Sequence, residues 1–170
     1  LPWLTLRENI EFPQKIVGHK GKEWKEYVDE LLEIGRLTKC ADLRPSALSG
    51  GMLQRAGVLR GMANKPKILL MDEPFGALDD LLREQLDLET LDIWRKLNQT
   101  IIFITHNVRE AVLMSSKVYV MTTAPGRILE EVDIDLPYPR DLTILTDPKF
   151  IGYDQRITSL IGELDLTKIK

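Results

Sequence analysis

One cysteine, two histidines and no long apolar run mark what this 170-residue chain does without. Cys40 has no partner for an internal disulfide, so nothing calls for an oxidising compartment and cytoplasmic residence is the default expectation. No apolar stretch approaches the roughly 20 residues needed to cross a bilayer, which leaves membrane association to a partner protein. Leu1 to Glu11 lack the basic start and cleavage pattern of a secretory leader. Excess positive charge is missing too: 23 Lys and Arg stand against 26 Asp and Glu, a net −3. That balance argues against nucleic acid as a partner, because phosphate backbones demand a clustered basic surface. The chain also contains no Gly-x-x-x-x-Gly-Lys-Ser/Thr loop, the lysine-bearing cradle for nucleotide phosphates. Gly21-Lys22 has no glycine five residues earlier and no Ser or Thr after it, so Gly18 to Lys22, with His19, reads as a polar loop. Cys40 reads as a small packed side chain. The opening at Leu1, with an element already under way, suggests a truncated form.

What is present suits one globular unit with a sizeable core. After a Pro- and Trp-containing lead-in, Trp24, Tyr27, Val28, Leu31 and Leu32 recur at helical spacing and predict an amphipathic helix over 22–34, ended by Gly35. Leu37 to Pro45 reads as a connection. A second helix is expected from Ser49 or Gly50 to near Asn64, with Pro66 blocking its continuation. From Lys67 onward strands and helices alternate. Ile68 to Met71 is an apolar run expected to be covered on both faces, Asp79 to Leu97 a long helix, Thr100 to Ile104 a second buried strand, Asn107 to Ser115 a short helix and Lys117 to Thr122 a third strand. That order implies one parallel sheet with right-handed crossovers. Arg127 to Ile134 reads as an antiparallel edge hairpin and Asp147 to about Glu163 as a last helix.

Two stretches carry chemistry. Ser49-Gly50-Gly51-Met52 opens a helix, where unpaired N–H groups and partial positive charge meet a hydroxyl donor and glycines that let an anion approach the backbone. The bland alternative is that Ser49 simply caps the helix. Asp72 and Glu73 end a buried strand, where open α/β sheets assemble ligand sites, and adjacent strand residues point to opposite faces, which permits two separate tasks. His106 follows the next strand, and a neutral imidazole can donate one hydrogen bond and accept another.

These segments, with Asp72-Glu73-Pro74-Phe75-Gly76-Ala77-Leu78-Asp79, Thr105-His106 and Pro125-Gly126-Arg127-Ile128, resemble ATP-binding subunits of ABC transporters over essentially the whole chain. Leu1 to Thr5 and Leu136 to Asp141 carry the likeness to nitrate, sulfonate and taurine importers. Ser115-Ser116 departs from it, standing where an Ala-Asp pair is common.

The resemblance implies the C-terminal part of a RecA-like α/β P-loop NTPase core with its helical signature subdomain: 1–66 the signature subdomain, 67–135 the remaining core, 136–170 a helical tail. It implies ATP and Mg2+ as cofactors, a second ATPase subunit and a transmembrane permease as partners, and a place at the inner face of the cell membrane. Ser49, Gly50, Gly51 and Met52 would contact nucleotide held by the other subunit. Asp72 would hold Mg2+ through water, Glu73 would polarise the attacking water, His106 would link that carboxylate to the terminal phosphate, and Ala77, Leu78 and Asp79 would form the D-loop. Trp3 and Leu4 read either as permease contacts or as core. In such a core the strand before the phosphate loop lies between Thr100–Ile104 and Lys117–Thr122. Those two strands are therefore expected to close on each other or to take a strand from a fragment or another copy, giving a homo-oligomer through the open sheet. A non-catalytic module that regulates or caps an intact ATPase is the rival reading.

Overall fold

The computed structural model describes residues 1–75, 80–97 and 99–167. The chain divides into two compact units, Leu1–Ile102 and Phe103–Lys170. The first carries α1 (Leu6–Val17), α2 (Lys22–Ile34), α3 (Gly50–Met62), β1 (Ile68–Asp72), α4 (Asp80–Leu97) and the start of β2 (Thr100–Ile104). α1 packs on α2 and α3, and α3 on α4, enclosing Ile10, Val28, Leu31, Leu32, Leu37, Leu59 and Met62.

α1 stands where the sequence suggested only a lead-in. Pro13 removes the N–H that would reach the Asn9 carbonyl, which in a helix interior costs about 3 kcal/mol. Several local contacts outweigh it. The Thr5 hydroxyl accepts from the Glu8 N–H at 3.2 Å while the Glu8 carboxylate accepts from the Thr5 N–H at 2.8 Å, a capping box that holds the start. Leu6 and Ile10 are fully buried, each contributing about 1.5–3 kcal/mol. Gln14 donates to the Ala63 carbonyl at 2.8 Å in the interior. Gly18, at φ 83°, closes the helix in the left-handed region that favours glycine.

β1 and β2 pair in a two-stranded sheet, and β3 (Lys117–Met121) pairs with β4 (Ile128–Asp133) in another. The expected single sheet of three parallel strands is thus replaced by two sheets, and the strands at Thr100–Ile104 and Lys117–Met121 do not close on each other. Local pattern sets which residues are extended but not which strand lies beside them, and β3 takes β4 as its neighbour. The covering expected for both faces of the first two strands is also absent. Leu70 is 70% exposed and Ile68 55%, while Ile102 and Ile104 are exposed on β2.

The second unit is built on the antiparallel β3–β4 ribbon, in register at Val118↔Val132 and Tyr119↔Glu131 with an irregularity after Val120. Val118, Val120 and Val132 are buried, and α6 (Pro148–Thr167) packs on β3 and on α5 (Val108–Met114) through Phe150 and Ile157. On the other face Lys117 pairs with Glu131 and, at 3.0 Å, with Asp133, so the exposed ladder is charge-matched. Among the described residues no helix is long and apolar enough to cross a membrane.

Candidate functional site

The start of α3 is shaped by Ser49. Its extended backbone breaks the chain direction, its hydroxyl accepts from the Met52 N–H at 3.3 Å, and its carbonyl accepts from the Leu53 N–H at 3.0 Å. Ser49 is therefore a helix cap, and capping and anion recognition are compatible because a hydroxyl that accepts through oxygen still has a proton to donate. The N–H groups of Gly50 and Gly51 lie in the first turn, where no intrahelical acceptor exists. Ser49 and Gly50 are exposed, and a Cβ on Gly50 would meet nothing within 4 Å, so this edge of the turn is open. A Cβ on Gly51 would come to 3.5 Å from Leu86 of α4, the surface on which the turn rests. Arg55, one turn on, is tied to Glu89 of α4 at 3.2 Å with both side chains mostly covered, which fixes the angle at which the helix start is presented.

Asp72 is the last residue of β1, and both Asp72 and Glu73 are exposed. Glu73 lies outside the strand with φ 42°, so the strand alternation expected to separate the two carboxylates does not extend to it. Its direction is set by a left-handed backbone, a conformation costing a non-glycine residue roughly 1–2 kcal/mol. Such strain gathers where function demands it. Phe75, almost fully buried, anchors the turn, and Arg83 Nε donates to its carbonyl at 3.4 Å. Gly76 and the predicted D-loop residues Ala77, Leu78 and Asp79 lie outside the described residues.

His106, exposed, sits in the second unit between β2 and α5. Asn107 caps α5, its side-chain oxygen accepting from the Glu110 N–H at 3.1 Å. The Asn107 N–H donates to the Thr105 hydroxyl at 3.0 Å, and that hydroxyl donates to the Glu110 carboxyl. The other end of α5 is held by Arg140. Its buried guanidinium donates to the carbonyls of Val112 at 3.0 Å, Leu113 at 2.6 Å, Ser115 at 3.0 Å and Leu136 at 3.2 Å. It lies 4.1 Å over the Tyr138 ring. Burial pulls Arg140 below its ordinary pKa and pushes Tyr138 up.

Sequence reading missed Thr105, Glu110 and Arg140 as supports. Asn107-x-x-Glu110 has the spacing of a capping pair and was readable as such, while Arg140 reaches α5 through carbonyls at least 25 positions away, a hold with no local signature. Trp3 is 66% exposed, which removes the core reading for it, and Leu4 is half-buried. His19 stacks on Trp24 with centroids 3.7 Å apart. Ser49 to Met52, Asp72 and Glu73 belong to the first unit and His106 to the second.

Residues 1–76 match the ABC transporter family. The nitrate import ATP-binding protein of Synechocystis is 41% identical over 166 residues, 94% of this chain and 62% of that protein. The chain belongs to the ABC transporter family. The aliphatic sulfonates import ATP-binding protein of Bacillus subtilis is 40% identical over 158 residues, 93% of this chain and 60% of that protein. An ABC sequence here thus spans about 60% of the length of its relatives. A solved ATP-binding cassette in a dimeric post-hydrolysis state, bound to ADP and Pi, superposes with a TM-score of 0.61 at 26% identity, covering 81% of this chain and 60% of that one. The fold is accordingly the α/β fold of ABC cassettes.

The donor set suits a magnesium nucleotide in part. Open first-turn amides and a serine hydroxyl suit phosphate oxygens. One exposed aspartate suits Mg2+, which keeps most of its waters and takes one or two carboxylates beside phosphate oxygens. Among the described residues no group of three or more His, Cys, Asp or Glu could hold a metal ion.

Proposed function

We propose that this chain carries the signature, Walker B, D-loop and switch portions of the ATP-hydrolysing subunit of an importer for small solutes of the nitrate, sulfonate and taurine type. The observation that carries the reading is the open start of α3, where Ser49 and Gly50 are exposed and Gly50 is unobstructed. In this reading residues 1–66 form the signature subdomain, 67–135 the remaining core and 136–170 a helical tail. Ser49, Gly50, Gly51 and Met52 contact the phosphates of ATP held by a second ATPase subunit. Asp72 holds Mg2+ through water, and Glu73 accepts a hydrogen bond from the attacking water and polarises it. His106 links that carboxylate to the terminal phosphate, and Ala77, Leu78 and Asp79 form the D-loop. Bound Mg2+ supplies charge neutralisation of the phosphates. Exposed Trp3 joins the surface offered to a transmembrane permease, which places the assembly at the cytoplasmic face of the membrane.

The chain by itself holds no lysine-bearing phosphate loop, and phosphoryl transfer rests largely on electrostatic positioning. Calorimetry of the isolated chain with Mg-ATP is expected to show binding no tighter than roughly millimolar, and micromolar binding would contradict the reading. A non-catalytic module that pairs with an intact ATPase subunit, or with another copy of itself through open strand edges, is favoured instead by the uncovered Ile68, Leu70 and Ile102. Inhibition of an intact ATPase by added chain, without any dependence on Ser49, would support that module.

A further inference from the structure

We propose that Glu110 is a positioning residue for His106, acting through the Thr105 hydroxyl. His106 is flanked by Thr105 and Asn107, both hydrogen-bonded to Glu110, one to its carboxyl and the other to its backbone N–H. The Asn107 N–H donates to Thr105 Oγ1 at 3.0 Å, and Thr105 Oγ1–H donates to Glu110 Oε2. The Glu110 N–H in turn donates to Asn107 Oδ1 at 3.1 Å. Residues 105, 107 and 110 thus close a ring of hydrogen bonds beside exposed His106, and each link donates in the same sense, so the bonds polarise one another.

Stability alone does not account for the residue at 110. Glu110 is 5% exposed and its other carboxyl oxygen, Oε1, has no hydrogen-bond partner among the described residues. A buried carboxyl with an unmatched oxygen is costly, and an apolar side chain at this buried position would avoid that cost. What Glu110 supplies and an apolar residue would not is the acceptor that fixes the Thr105 hydroxyl, and through it the backbone on both sides of His106. α5 is anchored at its far end by Arg140, so Glu110 holds this turn against a fixed support. The inference deepens the proposed role of His106 and rests on it for its consequence in hydrolysis, while the positioning itself is observable without nucleotide.

The test is NMR of the whole chain, whose two histidines, His19 and His106, are separated by assigning the signals lost in His106→Gln. Glu110→Ala and Thr105→Val are each expected to shift or broaden the His106 ring signals and to speed amide exchange at His106 and Asn107 by roughly tenfold or more. The His19 ring signals, stacked on Trp24 in the other unit, should stay in place. Glu110→Gln and Thr105→Ser, which keep an acceptor and a hydroxyl, should restore the parent values, and the double variant Thr105→Val/Glu110→Ala should be no worse than either single one, because both break the same chain of bonds. Unchanged His106 signals in both single variants, additive effects in the double one, or failure of the conservative pair to restore the parent values would overturn the proposal. Hydrolysis by an assembled dimer carrying His106→Ala tests the histidine's role separately, so a failure of either idea is visible without the other.

Discussion

At the start of α3 the polar groups are left unspent, whereas around His106 they are spent on one another. Ser49 uses its oxygen on the Met52 N–H and keeps an exposed hydroxyl beside two glycines with no side chains to obstruct them. Thr105, Asn107 and Glu110 use theirs to hold the turn that carries a single exposed imidazole. A turn meant to receive many oxygens of a ligand is served by open backbone donors. A turn meant to present one side chain in one direction is served by a closed ring of bonds.

The sharpest way to break the second half of that contrast is at the far support. Arg140→Ala leaves carbonyls of Val112, Leu113, Ser115 and Leu136 without their donor in a buried place, and is expected to cost about 3 kcal/mol. Amide exchange along α5 should rise by roughly a hundredfold. Arg140→Lys should recover less than half, since an ammonium lacks the planar fork that reaches separate acceptors.

The first half divides at Ser49. Ser49→Ala should lower stability by about 1 kcal/mol through the lost cap, whereas Ser49→Asp should leave it unchanged or slightly raised. Both should lose the contact with a partner's nucleotide, the alanine for want of a hydroxyl and the aspartate through repulsion of phosphate. Denaturant midpoints read the first effect, and ATPase assays of a mixed dimer the second. Ser49→Asp matching the parent chain in the assay would show that Ser49 is a cap alone.

A smaller effect is expected at Glu73. At φ 42° a glycine escapes the left-handed cost of roughly 1–2 kcal/mol but gives back about 0.5–1 kcal/mol in chain entropy. Glu73→Gly should therefore be more stable than Glu73→Ala by about 0.5 kcal/mol, the reverse of the order at an ordinary position. The smallest effect lies at Glu8, half-buried in the α1 capping box. The hydrogen bond from the Thr5 N–H holds its carboxyl below the ordinary 4.5. A depressed folded value means that its contribution is complete above pH 4.5 and is lost as pH falls through the folded pKa. Glu8→Gln should flatten that part of the acid limb in a pH series of melting temperatures.

Much of the secondary structure was legible from local pattern. α2 occupies Lys22–Ile34 as its periodicity required, β2 runs over Thr100–Ile104, and α3 stops before Pro66. α1 was not legible from periodicity, since it rests on the Thr5-x-x-Glu8 box and on the burial of Leu6 and Ile10, which outweigh the cost of Pro13. The division into two sheets was missed because an apolar run reports extension and burial tendency, and not the strand beside it. At the site, Ser49 and the Asp72-Glu73 pair could be picked out by residue type and spacing. The left-handed turn at Glu73 and the hold of Arg140 on α5 could not, since both are settled by tertiary surroundings.

The central claim is that the start of α3 acts on nucleotide held by another subunit. The most direct measurement mixes this chain with an intact ATPase subunit whose own signature segment is blocked and follows phosphate release from Mg-ATP. The parent chain is expected to restore hydrolysis, and Ser49→Arg, which fills the open turn with an unmatched side chain, is expected to abolish that recovery. Equal recovery by the two chains, or none by either, would contradict the account.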